Sequence, residues 1–331
     1  MKLINKIQDL SQLQKGSVLT IGNFDGVHLG HRQILKTAKS KALEYNTYLT
    51  AMTFEPHPVA LLHPQKPPRV LTPLELKTHL LALLGVDALI VLKTTPELLS
   101  LTPEDFIDRF LVDTIKPAVL VEGPDFNFGY KRTGNIAQLR RLGPQKGFDV
   151  YIVKQKNLTL STGGAVTVSS TIIRNLLEAG SVADAAAALA RPYRLIGKVI
   201  PGYGKAKQLG FPTANLQPTG QIIPGQGVYA GFVTIAEATR KLLDAKEKAP
   251  AVFSIGTAPT FSHDRPQLIE AHLLKENVPD LLAKQMAMDF VKKLRDQIKF
   301  DSEKKLAQQI EKDSTKAKLV LSNSNAGIGK H

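Results

Sequence analysis

Two histidines, His28 and His31, stand three residues apart in "GNFDGVHLGHR", among Gly22, Gly26 and Gly30. Glycine adds no side chain to a core and lets a ligand approach the backbone. The stretch falls where the apolar run "SVLTIG" gives way to the amphipathic "LGHRQILKTAKSKALEY". A strand, a glycine-bearing turn and a helix start leave free N–H groups and the positive end of a helix dipole, which together bind anions. At this spacing both imidazoles lie on one helix face, and two such donors suit an α-phosphate that gains negative charge under attack. Zinc is the competing chemistry, with two histidines but no third ligand nearby. Two plain surface histidines are the other alternative.

Three further clusters carry chemistry. In "VSSTIIR", Ser169, Ser170 and Thr171 offer hydroxyls at a helix start and Arg174 follows within the first turn. That set clamps phosphate oxygens, or merely caps a helix beside a solvated arginine. In "GFPTANL", Thr213 and Asn215 are two apart, so on a strand they point the same way and present oxygens to one hard cation. The plain alternative is a polar pair on a solvent face. In "LIEAHLL", Glu270 and His272 share the strand face opposite Ile269, Ala271 and Leu273. A carboxylate held beside a hydroxyl can take its proton as it attacks a γ-phosphate.

The elements that must position these residues alternate in the first half of the chain. "SVLTIG", "TYLTAMTF", "DALIVL", "AVLVE" and "FDVYIV" read as strands, with amphipathic helices between them. Thr72 is expected to cap one helix, with Pro73 at its first position, Glu75 completing a capping box and Gly85 ending it. Thr102 and Pro103 open another through "EDFIDRFLVDTI", and Gly143 ends "NIAQLRRL". The alternation predicts an α/β fold, a doubly wound, mostly parallel sheet whose ligands bind at the carboxyl ends of its strands. After Thr167 come two short helices, "TIIRNLLEAG" and "VADAAAALA". Beyond Arg191 short β-like runs follow ("LIGKVI", "GVYAGFVTI", "PAVFSIG", "QLIEAHLL"), then a charged amphipathic helix from about Asp289. This texture predicts a small antiparallel barrel closed by a helix, with a disordered tail at "SNSNAGIGKH".

At 331 residues the chain has length for two domains. It has no cysteine, which excludes structural disulfides, thiolate catalysis and cysteine-bound zinc. No apolar run spans a membrane and "MKLINKIQDL" lacks the apolar stretch of a signal peptide, so a cytoplasmic location is expected. A formal charge of +14 favours a polyanionic partner: nucleic acid, an anionic membrane surface or a phosphorylated small molecule. The lysines are spread along the chain, aromatics are 6% and tryptophan is missing, which weakens a case for stacking single-stranded bases.

"GNFDGVHLGHR" resembles the signature of the nucleotidyltransferase superfamily. "TFEPHP", "DFNFG" and "SSTIIR", followed in order by "GFPTANL", "GVYAGFV", "SIGTAPTF", "EAHLL" and "KFDS", resemble the bacterial bifunctional riboflavin kinase/FMN adenylyltransferases over nearly the whole chain. The resemblance implies a Rossmann-like FMN adenylyltransferase domain over residues 1–185 and a riboflavin kinase β-barrel with a C-terminal helix over 186–320, with 321–331 as a disordered tail. It implies riboflavin, FMN and ATP as substrates, Mg²⁺ as cofactor, and neither nucleic acid nor membrane as partner; oligomeric state is not legible. The runner-up is an FMN adenylyltransferase alone, its barrel a flavin-binding or regulatory module.

By the same resemblance His28 and His31 match phosphate-binding histidines. Gly22, Asn23, Phe24, Asp25, Gly26 and Gly30 match the nucleotide turn, and Ser169, Ser170, Thr171 and Arg174 the late phosphate contacts. Asp125 falls in a strand-end loop near nucleotide or flavin, and the "FEPHP" loop, held extended by Pro56 and Pro58, forms a flavin wall. In the second domain Glu270 matches the kinase base and Thr213 and Asn215 the Mg–ATP residues, with Gly202, Lys207, Gly210 and Pro212 in the surrounding ATP loop. Three departures are present: Ile172 stands where relatives often have Arg, Ala206–Lys207 where they have Gly-Arg, and Pro201–Gly202 where they have His-Gly.

Overall fold

Val18–Ile21 (β2) is buried at every position, the mark of a strand covered on both faces. In the computed structural model, which describes residues 1–6, 9–10, 13–65, 67–201, 211–257, 267–275 and 280–325, β2 is central in a six-stranded sheet. The others are β1 (Lys2–Ile4), β3 (Leu49–Glu55), β4 (Ala88–Lys93), β5 (Val119–Glu122) and β8 (Asp149–Ile152); β6 (Asn127–Phe128) and β7 (Gly134–Asn135) form a small separate pair. The order is β1-β4-β3-β2-β5-β8 and every pairing is parallel. The chain direction across the sheet therefore reverses at β2, between β3 and β5, the crevice where doubly wound sheets bind ligands. By contacts the chain divides into Met1–Leu158 with Ala165–Ser169, and Thr159–Gly164 with Ser170–His331.

Helix α1 (Leu29–Glu44) follows β2 and buries Leu35, Ala38 and Ala42. Helix α2 is Pro58–Leu62 and α3 is Leu74–Leu83. Gly85, at φ +79°, ends α3 as expected, but Thr72 does not cap it: the cap position is Pro73, with no side-chain bond. The Thr72 hydroxyl instead accepts from Gly26 N at 3.0 Å and donates to Asp25, because the buried Asp25 carboxylate takes both the amide and the hydroxyl of Thr72. The helix opened by Pro103–Asp105 (α5, after α4, Pro96–Leu99) continues as a π-helix over Phe106–Ile115, which buries Phe106, Ile107, Leu111 and Ile115. Asn135 and Gln138 form a capping box for α6 (Ile136–Leu142).

The second unit is a closed barrel in the order β11-β12-β15-β14-β13-β16, all antiparallel; β9 (Asn157–Thr159) and β10 (Ala165–Thr167) pair separately. Its strands are β11 (Tyr193–Ile200), β12 (Thr213–Pro218), β13 (Gly227–Ala236), β14 (Ala249–Thr257), β15 (Gln267–Leu273) and β16 (Gln285–Arg295). Tyr193, Tyr229, Phe253 and Phe290 are among its largest buried side chains. Helices α7 (Ser170–Glu178) and α8 (Val182–Leu189) pack together, and α8 lies on β11 and β16. The helix Glu303–Asn325 covers β13, β14 and β16 through Ala317 and Leu321 and carries helical structure four residues into the "SNSN" segment.

The expected helix from about Asp289 is not there: Gln285–Arg295 is the strand that closes the barrel, and the helix starts at Glu303. Met, Ala, Lys and Leu favour a helix locally, but β16 is paired on both edges, with β11 and β13, and Met286 to Phe290 are buried. Tertiary pairing overrides propensity. Asp289 belongs to this register, directly across from Arg194. Its carboxylate accepts two bonds of 2.7 Å from the Arg194 guanidinium and one of 2.8 Å from Lys248 Nζ. Burial alone would raise its pKa, yet Arg194 and then Lys248 hold it below the usual range. Asp289→Ala strands the buried Arg194 charge and should remove about 3–5 kcal/mol of stability, read from the barrel's urea unfolding midpoint.

Candidate functional site

In the first unit the histidine turn is built by its own backbone. Phe24 and Val27 take left-handed φ of 47° and 43° while buried, and Gly26 takes +91°. Such conformations in bulky residues persist only where the surroundings enforce them. The buried Asp25 supplies that enforcement by accepting from Leu71 N, Thr72 N and the Thr72 hydroxyl. His28 is the N-cap of α1, its Nδ1 accepting from His31 N at 3.4 Å, which leaves its proton on Nε2. The two rings stack at 3.7 Å. A Cβ at Gly30 would approach the His28 ring to 3.2 Å, so glycine makes room for this ring over the helix start.

Burial pushes the His28 pKa down to about 4, against the opposing charge of Asp25. Burial, then His28 and Lys77, push His31 well below its usual value. Both imidazoles are therefore neutral N–H donors at pH 7. His31 keeps a partly exposed edge, but its Nδ1 is sealed from solvent and has no partner among the described residues.

A cavity of about 810 Å³ opens at the carboxyl ends of β2, β3 and β5, within the size range of small-ligand sites. Gly22 and Asn23 of the turn line it, with Phe54, Pro58, Leu62 and Phe128 as apolar walls. The "FEPHP" loop does form a wall, but it is extended only as far as His57, which caps α2; Pro58 begins that helix. Asp125 also lines the cavity and accepts a bond from Gln155.

Glu122, at the last position of β5, holds the crevice beside the cavity. β2 and β5 pair only at Val18–Val119 and Leu19–Leu120, and beyond that the Glu122 carboxyl accepts from Ile21 N at 2.5 Å. Burial raises its pKa well above the usual range, outweighing that bond. An acid with a raised folded pKa gives stability that is complete below its unfolded value near 4.3 and is lost as pH climbs toward the folded one. Glu122→Gln keeps the acceptor without the ionisation, so relative to wild type its thermal midpoint should gain as pH rises from 4 to 8.

In the second unit the strand register assembles the other cluster. Thr213 pairs with His272 and Asn215 with Glu270 across β12 and β15, and Ser254 of β14 lies opposite Glu270 on the other side. Directly opposed residues point to the same face, so Thr213, Asn215, Ser254, Glu270 and His272 share the outer face while Ile269, Ala271 and Leu273 fill the interior. His272 Nδ1 donates to the Pro212 carbonyl at 3.1 Å, and Phe211 meets its ring edge-on at 5.6 Å, which anchors the entry to β12. Burial raises the Glu270 pKa, and its carboxyl makes no hydrogen bond or ion pair among the described residues. Asn215 is buried and its Oδ1 has no partner among them. An unsatisfied hard oxygen beside a threonine hydroxyl fits a magnesium ion that draws its other ligands from phosphate and water.

A family model described as FAD synthetase matches residues 10–171, and one described as riboflavin kinase matches 189–321. The curated bifunctional riboflavin kinase/FMN adenylyltransferase of Escherichia coli K12 is 38% identical over 299 residues, covering 90% of each chain. The protein of that name from Pseudomonas fluorescens is 35% identical over 297 residues, again covering 90% of each. The chain belongs to the bifunctional riboflavin kinase/FMN adenylyltransferase family. A solved structure titled macrolide-efflux protein, from Streptococcus pneumoniae, shares the fold at a TM-score of 0.82 with 24% identity, over 96% of this chain and 99% of that one.

Against that family background, Ser170 and Thr171 open α7 and Arg174 lies on it. Ser169 groups with the first unit and α7 with the second. Gly202, Lys207 and Gly210, with the Ala206 departure, lie outside the described residues. Two groups escape sequence reasoning. Tyr130, Lys131 and Arg132 line the cavity mouth, and nothing in their spacing marks them. Lys77 is 5% exposed on α3, and its signal is a lysine in the apolar phase four residues before Leu81.

Proposed function

We propose that the chain carries out both reactions of its family, one in each half. ATP phosphorylates riboflavin to FMN in residues 186–320, and ATP adenylylates FMN to FAD, releasing pyrophosphate, in residues 1–185. The observation that carries this reading is the row Asn215–Glu270–Ser254 on one barrel face in a chain that also holds the His28–His31 turn beside an apolar cavity.

In the kinase half Glu270 takes the proton of the riboflavin hydroxyl as it attacks the γ-phosphate. Its burial-raised pKa brings it nearer the pH at which a base can accept that proton. Thr213 and Asn215 would hold magnesium, whose charge, when it is bound, neutralises that developing on the phosphoryl oxygens. In the adenylyltransferase half the cavity takes the isoalloxazine against Phe54 and Phe128. The start of α1 and the neutral N–H donors of His28 and His31 bind the α-phosphate, and Asp25 holds the turn that aims them. Alignment and charge stabilisation suffice here, because no enzyme-bound intermediate is needed. Incubation of the full chain with riboflavin, ATP and Mg²⁺, followed by chromatography of flavins, tests the reading.

A further inference from the structure

A buried ammonium is costly unless an anion meets it. Lys77 lies in the apolar phase of α3 with Leu76 and Leu81 and is 5% exposed, yet among the described residues it makes no hydrogen bond or ion pair. The two carboxylates that act on it do not satisfy it. Asp25 feels its field, but its oxygens are engaged by Leu71 N, Thr72 N and the Thr72 hydroxyl. Glu55, also within its field, is exposed at the end of β3. His31 feels the lysine charge as well, and its Nδ1 is sealed and without a partner among the described residues. Burial lowers the Lys77 pKa and the two carboxylates oppose that.

The helix that carries this cation is tied to the histidine turn: Thr72, just before α3, accepts from Gly26 N and donates to Asp25, and Lys77 follows within the first turns of α3, on its buried side. We propose that Lys77 is a phosphate-binding residue of adenylyl transfer, its ammonium contacting a phosphate oxygen of the bound substrates. The inference rests on the FMN adenylyltransferase reading above. The chemistry required is a phosphate oxygen next to the start of α1, and two sources supply one: the phosphate of FMN and the triphosphate of ATP. The folded protein holds the cation unpaired until one of them arrives.

The test uses the full chain with Lys77→Met and Lys77→Arg, measuring FAD formation from FMN, FMN formation from riboflavin, and the thermal midpoint. Lys77→Met should lower kcat/KM for FAD formation on the order of 100-fold, with riboflavin phosphorylation within about twofold of wild type. Its thermal midpoint should hold or rise, because a thioether of similar length replaces an unpaired buried charge. Lys77→Arg should restore part of the rate. A contact to FMN raises KM for FMN and leaves that for ATP; a contact to the triphosphate does the reverse. Wild-type FAD formation in Lys77→Met overturns the proposal, as does a loss that falls equally on both reactions together with the thermal midpoint. A wild-type chain that makes no FAD from FMN overturns the adenylyltransferase reading, and the role of the lysine with it.

Discussion

Glu270→Gln should lower riboflavin phosphorylation by about 10²–10⁴-fold while conversion of FMN to FAD proceeds at the wild-type rate. The substitution keeps the size and hydrogen-bonding reach of the side chain, so the register of Asn215, Glu270 and Ser254 is preserved. What it removes is a carboxylate that no described residue engages and that burial alone perturbs. A group in that state can act on a substrate proton, whereas its amide cannot accept one. Initial rates of FMN formation at saturating riboflavin and ATP decide the matter. A variant that keeps more than about a tenth of the wild-type rate would remove Glu270 from the role of base, since general-base catalysis contributes at least 10²-fold.

His28→Asn should lower FAD formation from FMN by about 10²–10³-fold and leave riboflavin phosphorylation unchanged. Asparagine is chosen because it is a good N-cap, so it can replace the acceptor that His28 Nδ1 offers to His31 N and keep the start of α1 intact. The loss then reports the imidazole N–H and its stack on His31 rather than a frayed helix. The effect should appear mainly in kcat, because a donor aimed at the α-phosphate matters most when that phosphate gains charge. A fall confined to KM for ATP would make His28 a ground-state binder and no more.

The strands and helices around these sites are legible in the sequence wherever local and tertiary forces agree. The runs around Val18–Ile21 and Leu49–Glu55 read as strands of a mostly parallel sheet, the first of them buried, and are so. The periods of two in Thr213–Asn215 and Glu270–His272 put those residues on the face that the register confirms. Gln285–Arg295 misleads because its residue types favour a helix and its strand state comes from distant partners, β11 about 90 residues and β13 about 50 to 70 residues earlier. Thr72 misleads for a similar reason: the capping spacing is local, but a buried carboxylate 47 positions earlier competes for it. Glu122 and Lys77 are unreadable from composition, since a glutamate at a strand end and a lysine on a helix are ordinary until burial is known.

The most direct test of the two-site account is a chromatographic time course of riboflavin with ATP and Mg²⁺, beside a parallel reaction started from FMN. The account predicts that FMN appears first in the riboflavin reaction and is then converted to FAD, at a rate matching the parallel reaction. FAD from FMN with riboflavin left unchanged would contradict it, leaving one working site and a barrel that only binds flavin.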